Sequence, residues 1–465
     1  MDDWSPERLA EALNGGRPRY LEIAEAIGAD IDAGVLSPGD RLPPQRRVAQ
    51  QLGVDFSTVA RGYAEAVRRG YIETFVGRGT FVKAPQPQPL RPDPRRAREE
   101  DPMMNMPPEP EDPALVARMQ AGLAHVSANL LPLLRYQSVT GSPQDREVLC
   151  DWLQANGLPC APERLALTPG AHAALYAILT VLCEPGSVVL CEDVTYPGLR
   201  AIAAQLGVQL VGLPGDGDGI DPQALETAIR SHWPAALYLN PTLHNPTTRT
   251  MPLTRRQQVA AVLAEHDLPL IEDDAYCLVA TPPPTPISTL VPELGWHIAG
   301  LSKCLGAGLR LACTTVPQQS QMGRFSQALR ALHVMVSPLT LALLTRWIED
   351  GTATELQAHL REAARARQAL AAEILSPGAP QGVATRSDPL AFNLWLSLPP
   401  GTSRAEVMGR MATRQIGILP SDAFTVSGPP PEALRVCLGG PIPLPALRAD
   451  LLALQDALSR KDWLG

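Results

Sequence analysis

Residues 268–310 read LPLIEDDAYCLVATPPPTPISTLVPELGWHIAGLSKCLGAGLR. Two short apolar runs in this segment, LPLI and HIAGL, each contain a β-branched residue and predict buried strands. Side chains with reactive groups follow each run directly. Asp273 and Tyr276 come after the first run, and Ser302 and Lys303 come after the second. The segment therefore predicts a chemical site at the end of two neighbouring strands.

Lys303 is the most informative residue of this segment. The chain has only three lysines among its 40 basic residues, and the other two, Lys83 and Lys461, lie near the predicted linker and at the C-terminus. A lysine amine can lose its proton and form an imine with an aldehyde, whereas a guanidinium stays charged and is a poor nucleophile. Imine chemistry at Lys303 is one hypothesis. A buried lysine paired with an aspartate is the simpler alternative.

Composition limits the class of protein. A chain of 465 residues predicts two or three domains. No apolar run reaches the roughly 18 residues of a membrane span, and the acidic N-terminus is unlike a signal peptide. Eight cysteines occur without a CxxC motif or a Cys/His cluster, which argues against a metal site and for a reduced, cytoplasmic protein. The net charge of −8 means that nucleic-acid contacts would need a local basic patch.

The first 82 residues have the pattern of a winged helix-turn-helix domain. Apolar periodicity predicts helices over about 20–33, 44–52 and 57–69, with Val59, Tyr63 and Val67 facing inward in the third. Glycine turns separate the helices, as in a helix-turn-helix. The following stretch, YIETFVGRGTFV, alternates apolar and polar residues around a glycine-rich tip and predicts a β-hairpin.

This geometry puts Ser57, Thr58 and Arg61 on the exposed face of the third helix and Arg78 at the hairpin tip. Short helix pairs also occur in protein-interaction modules, so the pattern alone leaves that alternative open. The stretch GVLSPGDRLPPQRRVAQQLGVDFSTVARGYAEAVRRGYIETFVGRGTFV resembles the GntR family of bacterial transcription regulators. The resemblance implies that Arg46 and the helix and wing residues contact double-stranded DNA. The family usually has arginine where this chain has Phe56, so one expected contact is missing or is supplied by Arg47 or Arg61.

Residues 83–101 read KAPQPQPLRPDPRRAREED, with almost no large apolar side chain. Such a segment cannot form a core and is typical of a semi-rigid, extended linker. Its arginines could form an additional DNA-binding arm, although a solvated run of charges is the commoner case.

Beyond the linker, strand-like and helix-like stretches alternate. This alternation predicts an α/β domain with a mostly parallel sheet covered by helices on both faces. Ligands of such sheets lie at the carboxyl edge of the strands. The predicted strands are 164–168, 187–191, 208–213, 235–239, 268–272, 297–301 and 311–316.

The residues that follow these strands form a coherent set. Arg310 precedes the last strand, so it reaches the same edge only if that strand is antiparallel. A helix opening after the first strand offers free amides to a phosphate, Tyr196 offers a ring for stacking, and Asn245 offers a neutral hydrogen bond. The predicted members are Gly170, Ala171, His172, Tyr196, Asn245, Asp273, Tyr276, Ser302, Lys303 and Arg310.

Pyridoxal 5'-phosphate (PLP) requires this combination of groups. The amine serves an imine, the helix opening and arginine serve a phosphate, and a carboxylate keeps the pyridine nitrogen protonated so that the ring accepts electrons. Other phosphorylated ligands would not need Lys303 together with Asp273. Neither GxxxxGK[ST] nor GxGxxG is found in the sequence.

At these residues the chain resembles a known family. Residues 102–465 resemble a fold-type I aminotransferase, with a large part at about 125–316 and a small part at about 102–124 and 317–465. The fusion to a GntR-like domain is similar to the MocR subfamily of regulators. The resemblance implies Lys303 as the Schiff-base lysine, Arg310 as a phosphate ligand, Asp273 at the pyridine nitrogen, Tyr276 and Asn245 at the ring hydroxyl, Tyr136 at the partner subunit's phosphate in a homodimer, and Arg435 at a substrate carboxylate.

Two positions depart from the family pattern. Gly300 stands where a serine or threonine often binds phosphate. The region MNMPPEPEDP lacks the usual glycine-containing substrate loop. The sequence thus predicts a PLP-binding, DNA-binding regulator in which an amino acid or related amine reacts with the aldimine on Lys303. An active aminotransferase with an accessory DNA-binding head and a sensor of PLP itself are the alternatives.

Overall fold

The computed structural model describes residues 18–75, 79–83, 101, 103–376, 383–399 and 401–459. The chain forms two compact units, Met1–Glu100 and Asp101–Gly465. Among the described residues no single helix is long and apolar enough to cross a membrane, although two helices that meet at 118°, Gln319–His333 and Pro338–Glu349, pass that test jointly.

Within its described residues, 18–75 and 79–83, the first unit contains three helices and a small antiparallel sheet. Its core is built from Ile23, Ile27, Val59 and Tyr63, which are fully or almost fully buried. The strand order is β1-β3-β2, so the predicted hairpin is present. The elements are α1 (Arg19–Asp32), β1 (Arg41–Leu42), α2 (Gln45–Leu52), α3 (Phe56–Arg68), β2 (Ile72–Phe75) and β3 (Gly79–Val82).

One predicted core residue of this unit is wrong. Val67 is 43% exposed, and Ala66 is buried in its place. At about 100° per residue, Val67 lies roughly 80° around α3 from Val59, at the edge of the buried face. Arg78, predicted at the wing tip, lies outside the described residues.

The second unit contains the α/β domain. Its elements are α4 (Pro113–Ser127), α5 (Leu130–Leu133), α6 (Pro143–Ala155), β4 (Leu165–Thr168), α7 (Ala171–Leu182), β5 (Val188–Glu192), α8 (Pro197–Leu206), β6 (Gln209–Leu213), β7 (Gly215–Asp216), β8 (Gly219–Ile220), α9 (Pro222–His232), β9 (Ala236–Leu239), α10 (Leu253–Glu265), β10 (Leu270–Asp273), α11 (Ile287–Leu290), β11 (Gly295–Gly300), β12 (Ala312–Thr315), α12 (Met322–His333), α13 (Pro338–Glu349), α14 (Thr352–Leu375), β13 (Ala384–Arg386), β14 (Asn393–Ser397), α15 (Arg404–Met411), β15 (Ile418–Pro420), β16 (Ala433–Cys437) and α16 (Leu444–Ser459).

All seven predicted strands form one sheet, in the order β4-β12-β11-β10-β9-β5-β6. Strands β11, β10, β9, β5 and β6 pair in parallel. Strand β12 is antiparallel to both neighbours. The mostly parallel sheet is therefore confirmed, and the reversed strand brings Arg310 to the carboxyl edge, as its predicted role requires.

Both faces of this sheet are buried. Alternate residues enter different core clusters: Leu165 and Leu167 pack with α6, whereas Ala166 packs with α7. Successive side chains of a strand point to opposite faces of the sheet, so a strand that is buried on both faces has a continuous run of apolar residues in its sequence. This is why the strands were predictable from short runs such as LALT.

A four-stranded antiparallel sheet, β13-β14-β16-β15, lies near the C-terminal end of the chain. It packs against α14, α15 and α16 through a separate core. Strand β16 carries Arg435, which pairs in register with Trp395 of β14.

The expectation that the cysteines are reduced is wrong for two of them. Cys150 and Cys160 form a disulfide with a Cα–Cα distance of 5.3 Å. The chain turns back after α6, so two cysteines ten residues apart meet. The remaining six cysteines are free.

Candidate functional site

Lys303 lies in the connection between β11 and β12, at the carboxyl edge of the sheet. Its Nζ donates to the main-chain carbonyl of Asn105. Burial lowers the pKa of the Lys303 amine to about 8, and the positive charge of Arg435 acts in the same direction. At that pKa a substantial fraction of the amine is neutral near neutral pH, and a neutral amine is the nucleophilic form.

Asp273 ends β10 on the same edge. Tyr238 donates a hydrogen bond of 2.9 Å to its Oδ2. Its Oδ1 is buried and has no hydrogen-bond partner among the described residues. Burial raises the pKa of this carboxyl to about 6, although the Tyr238 hydrogen bond opposes that shift. Asp273 thus presents one free acceptor atom to the pocket.

A second polar pair lies close to Asp273. His297 Nε2 is 3.5 Å from Asp274 Oδ2. Burial disfavours the charged ring, yet the hydrogen bond to Asp274 and the charge of Glu272 raise the pKa of His297. The positive charge of His297 in turn favours the Asp273 carboxylate. The negative charge of Asp274 acts in the opposite direction and raises the pKa of Asp273, so His297 only partly offsets its neighbour.

The loop after β9 is held by a buried polar network. Asn240 donates to the carbonyl of Asp273 and accepts a 2.8 Å bond from the amide of Asn245. Behind it, Glu192 contacts His244 at 3.1 Å and Arg249 at 2.6 Å. This network fixes the position of Asn245 relative to Asp273.

The opening of α7 forms the other end of the pocket. Gly170 precedes it with a φ of 87°, and a Cβ there would stand 2.9 Å from Nη2 of Arg310. Burial lowers the pKa of His172, and the charge of Arg310 adds to the effect. The first amides of a helix lack intrahelical acceptors, so this end offers N–H donors and a guanidinium to an anion.

Arg435 closes the site from the small sheet. Nη1 donates to Asn245 Oδ1 at 3.0 Å, and Nη2 donates to the carbonyl of Met103. The guanidinium carbon lies 5.0 Å from the ring centre of Phe424. Its Nε is buried with no partner among the described residues. A side chain that is 4% exposed thus keeps one donor free.

The helix-turn-helix of the first unit presents its polar residues outward. Arg46, Arg47, Ser57 and Arg61 are exposed, and Thr58 is partly exposed. The Arg61 guanidinium carbon lies 4.3 Å from the ring centre of Tyr20. Gly53, with a φ of 62°, makes the turn between α2 and α3.

Comparison with known proteins agrees with both units. Residues 19–82 match the gntR family of bacterial regulatory proteins, and residues 118–442 match aminotransferase class I and II. The HTH-type transcriptional regulator YdeF of Bacillus subtilis (strain 168) is 30% identical over 445 residues, 95% of each chain. The probable rhizopine catabolism regulatory protein MocR of Rhizobium meliloti is 26% identical and covers 72% of each.

The chain belongs to the MocR subfamily of GntR-type transcription regulators. Among solved structures, the α-aminoadipate aminotransferase LysN of Thermus thermophilus, complexed with N-(5'-phosphopyridoxyl)-L-leucine, superposes with a TM-score of 0.68 at 23% identity. The match covers 76% of this chain and 90% of that one. This likeness confirms the fold-type I architecture of the second unit.

The pocket of this MocR-type regulator fits PLP on its own geometry. The unpartnered Oδ1 of Asp273 suits a pyridinium N–H, and the amine of Lys303 suits an aldehyde. The opening of α7 with Arg310 suits a phosphate. Gly300 lies close to the main chain of Ala275, because a Cβ at position 300 would stand 3.3 Å from the Ala275 Cα.

The regulator brings most predicted pocket residues together. Contacts or short-range charge effects link Lys303, Asp273, Tyr276, Asn245, Arg310, Tyr196, Gly170, His172 and Arg435. Ala171 and Ser302 occupy the helix opening and the lysine connection. Tyr136 is 86% exposed and takes no part in this cluster.

Three pocket residues were missed by the sequence reasoning. Asn105 contacts Lys303 and donates a 2.6 Å bond to the hydroxyl of Tyr276. Asn393 accepts a 2.8 Å bond from Asn105. Tyr238 sits inside a strand and reads as an apolar core residue. Asn105 lies within MNMPPEPEDP, which departs from the family pattern, and Asn393 lies near no motif, so no local signal marked either side chain as a pocket residue.

Proposed function

We propose that this protein is a cytoplasmic transcription regulator that binds PLP covalently through Lys303 and uses it to sense an amino acid or a related amine. PLP supplies an electrophilic aldehyde carbon to which amines add. The observation that carries the proposal is one pocket that holds a low-pKa lysine amine, a carboxylate with a free acceptor atom, and an arginine with a free donor.

Each pocket residue would make a different contact with the cofactor or the effector. Lys303 holds the cofactor and can be released when another amine takes its place. Asp273 would accept a hydrogen bond from the ring nitrogen, while Arg310 and the opening of α7 would bind the phosphate. Arg435, with its unpaired Nε, would recognise a carboxylate on the incoming amine through paired hydrogen bonds. Together these contacts favour α-amino acids over simple amines.

DNA binding belongs to the first unit. We assign phosphate contacts to Arg46 and Arg47, and base or phosphate contacts to Ser57, Thr58 and Arg61, because these side chains share the exposed side of a helix-turn-helix. Arg78 keeps its predicted role at the wing tip. The packing of Arg61 on Tyr20 fixes the direction of its guanidinium.

A homodimer is part of the proposal. Leu131, Leu134 and Tyr136 are 73%, 63% and 86% exposed within a few residues of one another. Adjacent exposed apolar side chains are typical of a protein interface. In a dimer Tyr136 would reach the phosphate site of the partner, and two winged helices would bind two DNA half-sites.

An effector changes DNA binding only if it binds two arrangements of the protein with different affinity. The decisive experiment starts from the purified full-length chain with added PLP. Its visible absorbance reports lysine-bound cofactor. A panel of amino acids and amines is then screened for spectral changes, and each hit is tested against double-stranded DNA selected from a random library by the protein.

A spectral change and an altered DNA affinity with the same compound would support the sensor. An active aminotransferase is the second candidate, because Lys303, Asp273 and Arg435 share the pocket. Steady conversion of an amino acid with a keto-acid acceptor at ordinary enzyme rates would favour that function. A change of DNA affinity with PLP alone would indicate a sensor of the cofactor. A protein that stays colourless with PLP would refute the cofactor assignment.

A further inference from the structure

The segment 103–106, here named the strap, occupies the pocket from the N-terminal side of the second unit. Its Asn105 carbonyl accepts from Lys303 Nζ, and its Met103 carbonyl accepts from Arg435 Nη2. The strap thus bonds to the two cations on which the proposed ligand chemistry depends.

The side chain of Asn105 anchors the strap by hydrogen bonds, and the partly buried Met106 lies against Gly440. Asn105 is 4% exposed, and its Nδ2 donates to Tyr276 at 2.6 Å and to Asn393 at 2.8 Å. Its Oδ1 is buried with no partner among the described residues. The side chains of Met103 and Met104 are 49% and 61% exposed. One buried amide with an unpaired acceptor is a weak anchor, because an unpaired buried acceptor opposes its own burial.

The strap and a ligand compete for the same atoms. At Lys303 the strap would compete with the cofactor, because a nitrogen joined to an aldehyde carbon is no longer an ammonium donor to the Asn105 carbonyl, and at Arg435 it would compete with the effector. A carboxylate that binds Arg435 in the paired geometry needs two neighbouring N–H groups. Nε is free, but the adjacent Nη2 already donates one of its two N–H groups to the Met103 carbonyl. A carboxylate that approaches Nε and Nη2 therefore competes with the Met103 carbonyl for Nη2.

Resting on the function proposed above, we propose that the strap is an internal competitor of the effector, and that an amino-acid carboxylate at Arg435 displaces it. The strap directly follows the predicted linker in the chain. Release of residues 103–106 would lengthen the tether of the DNA-binding unit by about 14 Å of extended chain. Ligand binding would thus release the strap and give the DNA-binding unit a longer connection to the second unit.

Hydrogen exchange on the unmodified chain tests the direction of this change. The Met104 amide donates to the Asp101 carbonyl at 3.0 Å, the Met106 amide to the Met104 carbonyl at 2.8 Å, and the Met103 amide to Asp101 Oδ1 at 2.9 Å. The probes are PLP alone and the N-(5'-phosphopyridoxyl) conjugates of L-leucine and glycine, which carry cofactor and carboxylate in one molecule. We expect exchange of peptide 101–107 to rise roughly tenfold with a conjugate.

A lid that closes over its ligand would give the opposite sign. Slower or unchanged exchange of this peptide with a bound conjugate overturns the competition while leaving the proposed function intact. Failure of PLP and both conjugates to bind overturns the proposed function itself, and the competition with it. The two failures are thus distinguished by the spectrum of bound cofactor.

A pair of variants gives an independent measure. Asn105→Ala removes the anchor, and Met104→Ala is the matched control because that side chain is exposed in the same segment. A ligand that needs a minor conformation gains affinity when that conformation becomes more populated. We expect Asn105→Ala to lower the Kd of the conjugates about fivefold, and Met104→Ala to leave it unchanged. Equal or weaker binding by Asn105→Ala would overturn the strap's role.

Discussion

The two units differ in where their proposed binding side chains lie, exposed in the first unit and buried in the second. The helix-turn-helix carries its functional side chains on the surface, where Arg46, Arg47 and Ser57 are exposed. The pocket buries Asp273 and Arg435 to 5% and 4% exposure. Surface charges act through a screened, long-range field, whereas buried groups act through desolvation and fixed contacts. We therefore expect the DNA-binding unit to respond mainly to salt and the pocket mainly to pH and to the loss of single atoms.

The largest effect is expected at Lys303. Lys303→Ala removes the amine that joins the cofactor, so the visible absorbance of lysine-bound PLP should be lost completely. The spectrum of the purified variant with added PLP measures this. Lys83→Ala is the matched control, since Lys83 is one of only two other lysines and belongs to the first unit. Persistence of the band in Lys303→Ala, or its loss in Lys83→Ala, would refute the assignment.

The next largest effect concerns the framework beneath the pocket. Glu272 and Arg256 are both 0% exposed, and their charged atoms lie 3.3 Å apart. Glu272 also accepts the amides of Ile287 and Ser288. Glu272→Ala leaves a buried guanidinium unpaired, so the free energy of unfolding should fall by about 3–5 kcal/mol. Urea denaturation followed by tryptophan fluorescence measures it.

Glu226→Ala is the control for that comparison. Glu226 pairs with Arg230 one helical turn away on the surface, where the two side chains are 34% and 65% exposed. Such pairs contribute little to stability, so this variant should unfold close to the parent. Similar falls in the free energy of unfolding of Glu272→Ala and Glu226→Ala would contradict the prediction that the buried ion pair matters more than the exposed one.

The pH dependence of cofactor attachment comes third. The pKa of Lys303 is lowered to about 8, and only the neutral amine attacks an aldehyde. The rate with PLP should therefore rise about tenfold per pH unit below pH 8 and level off above it. Nα-acetyl-lysine amide, an ordinary exposed amine, should keep rising to about pH 10. Stopped-flow absorbance measures both rates, and coincident profiles would contradict burial of the amine.

The smallest effect is expected in the DNA-binding unit. Arg46→Ala should weaken binding to many DNA sequences alike and reduce the slope of log affinity against log salt by about 1, as expected for one lost phosphate contact. Fluorescence anisotropy over a salt series measures the slope. Arg68→Ala is the control, because Arg68 pairs with Glu65 at 2.6 Å and has no predicted DNA contact. An unchanged slope in Arg46→Ala would remove this contact from the proposal.

Much of the fold was predictable because its signals are local. Every strand of the large sheet is a short apolar run, and the helices of the first unit have clear periodicity and glycine ends. Val67 shows the limit of periodicity, since a residue at the edge of a helical face can point either way. The Cys150–Cys160 disulfide shows another, because a turn after α6 decides which cysteines meet.

From the residues alone, the pocket was predicted through side chains that directly follow a strand, whereas Arg435, which lies within β16, was predicted only through the family resemblance. Lys303, Asp273 and Asn245 were found by that rule. The prediction that Arg310 lies at this edge depended on the strand LACTTV being antiparallel, and the sequence of that strand does not determine its direction. Asn105 lies 198 residues from Lys303 in the chain, and only the packing of the second unit brings them together. Tyr238 is a core residue by burial, and its hydroxyl gains a role only because β9 lies beside β10.

The reversed strand β12 has a consequence for how this pocket can change. The connection that carries Lys303 and Arg310 is closed at its base, because the amide of Leu301 donates to the carbonyl of Leu311 at 3.1 Å. Lys303 and Arg310, the proposed cofactor and phosphate ligands, therefore lie in one loop whose two ends are joined within the large sheet. In the proposed regulator, substitutions on β14 and β16 would change which molecule is recognised while leaving the main-chain separation of these two residues unchanged.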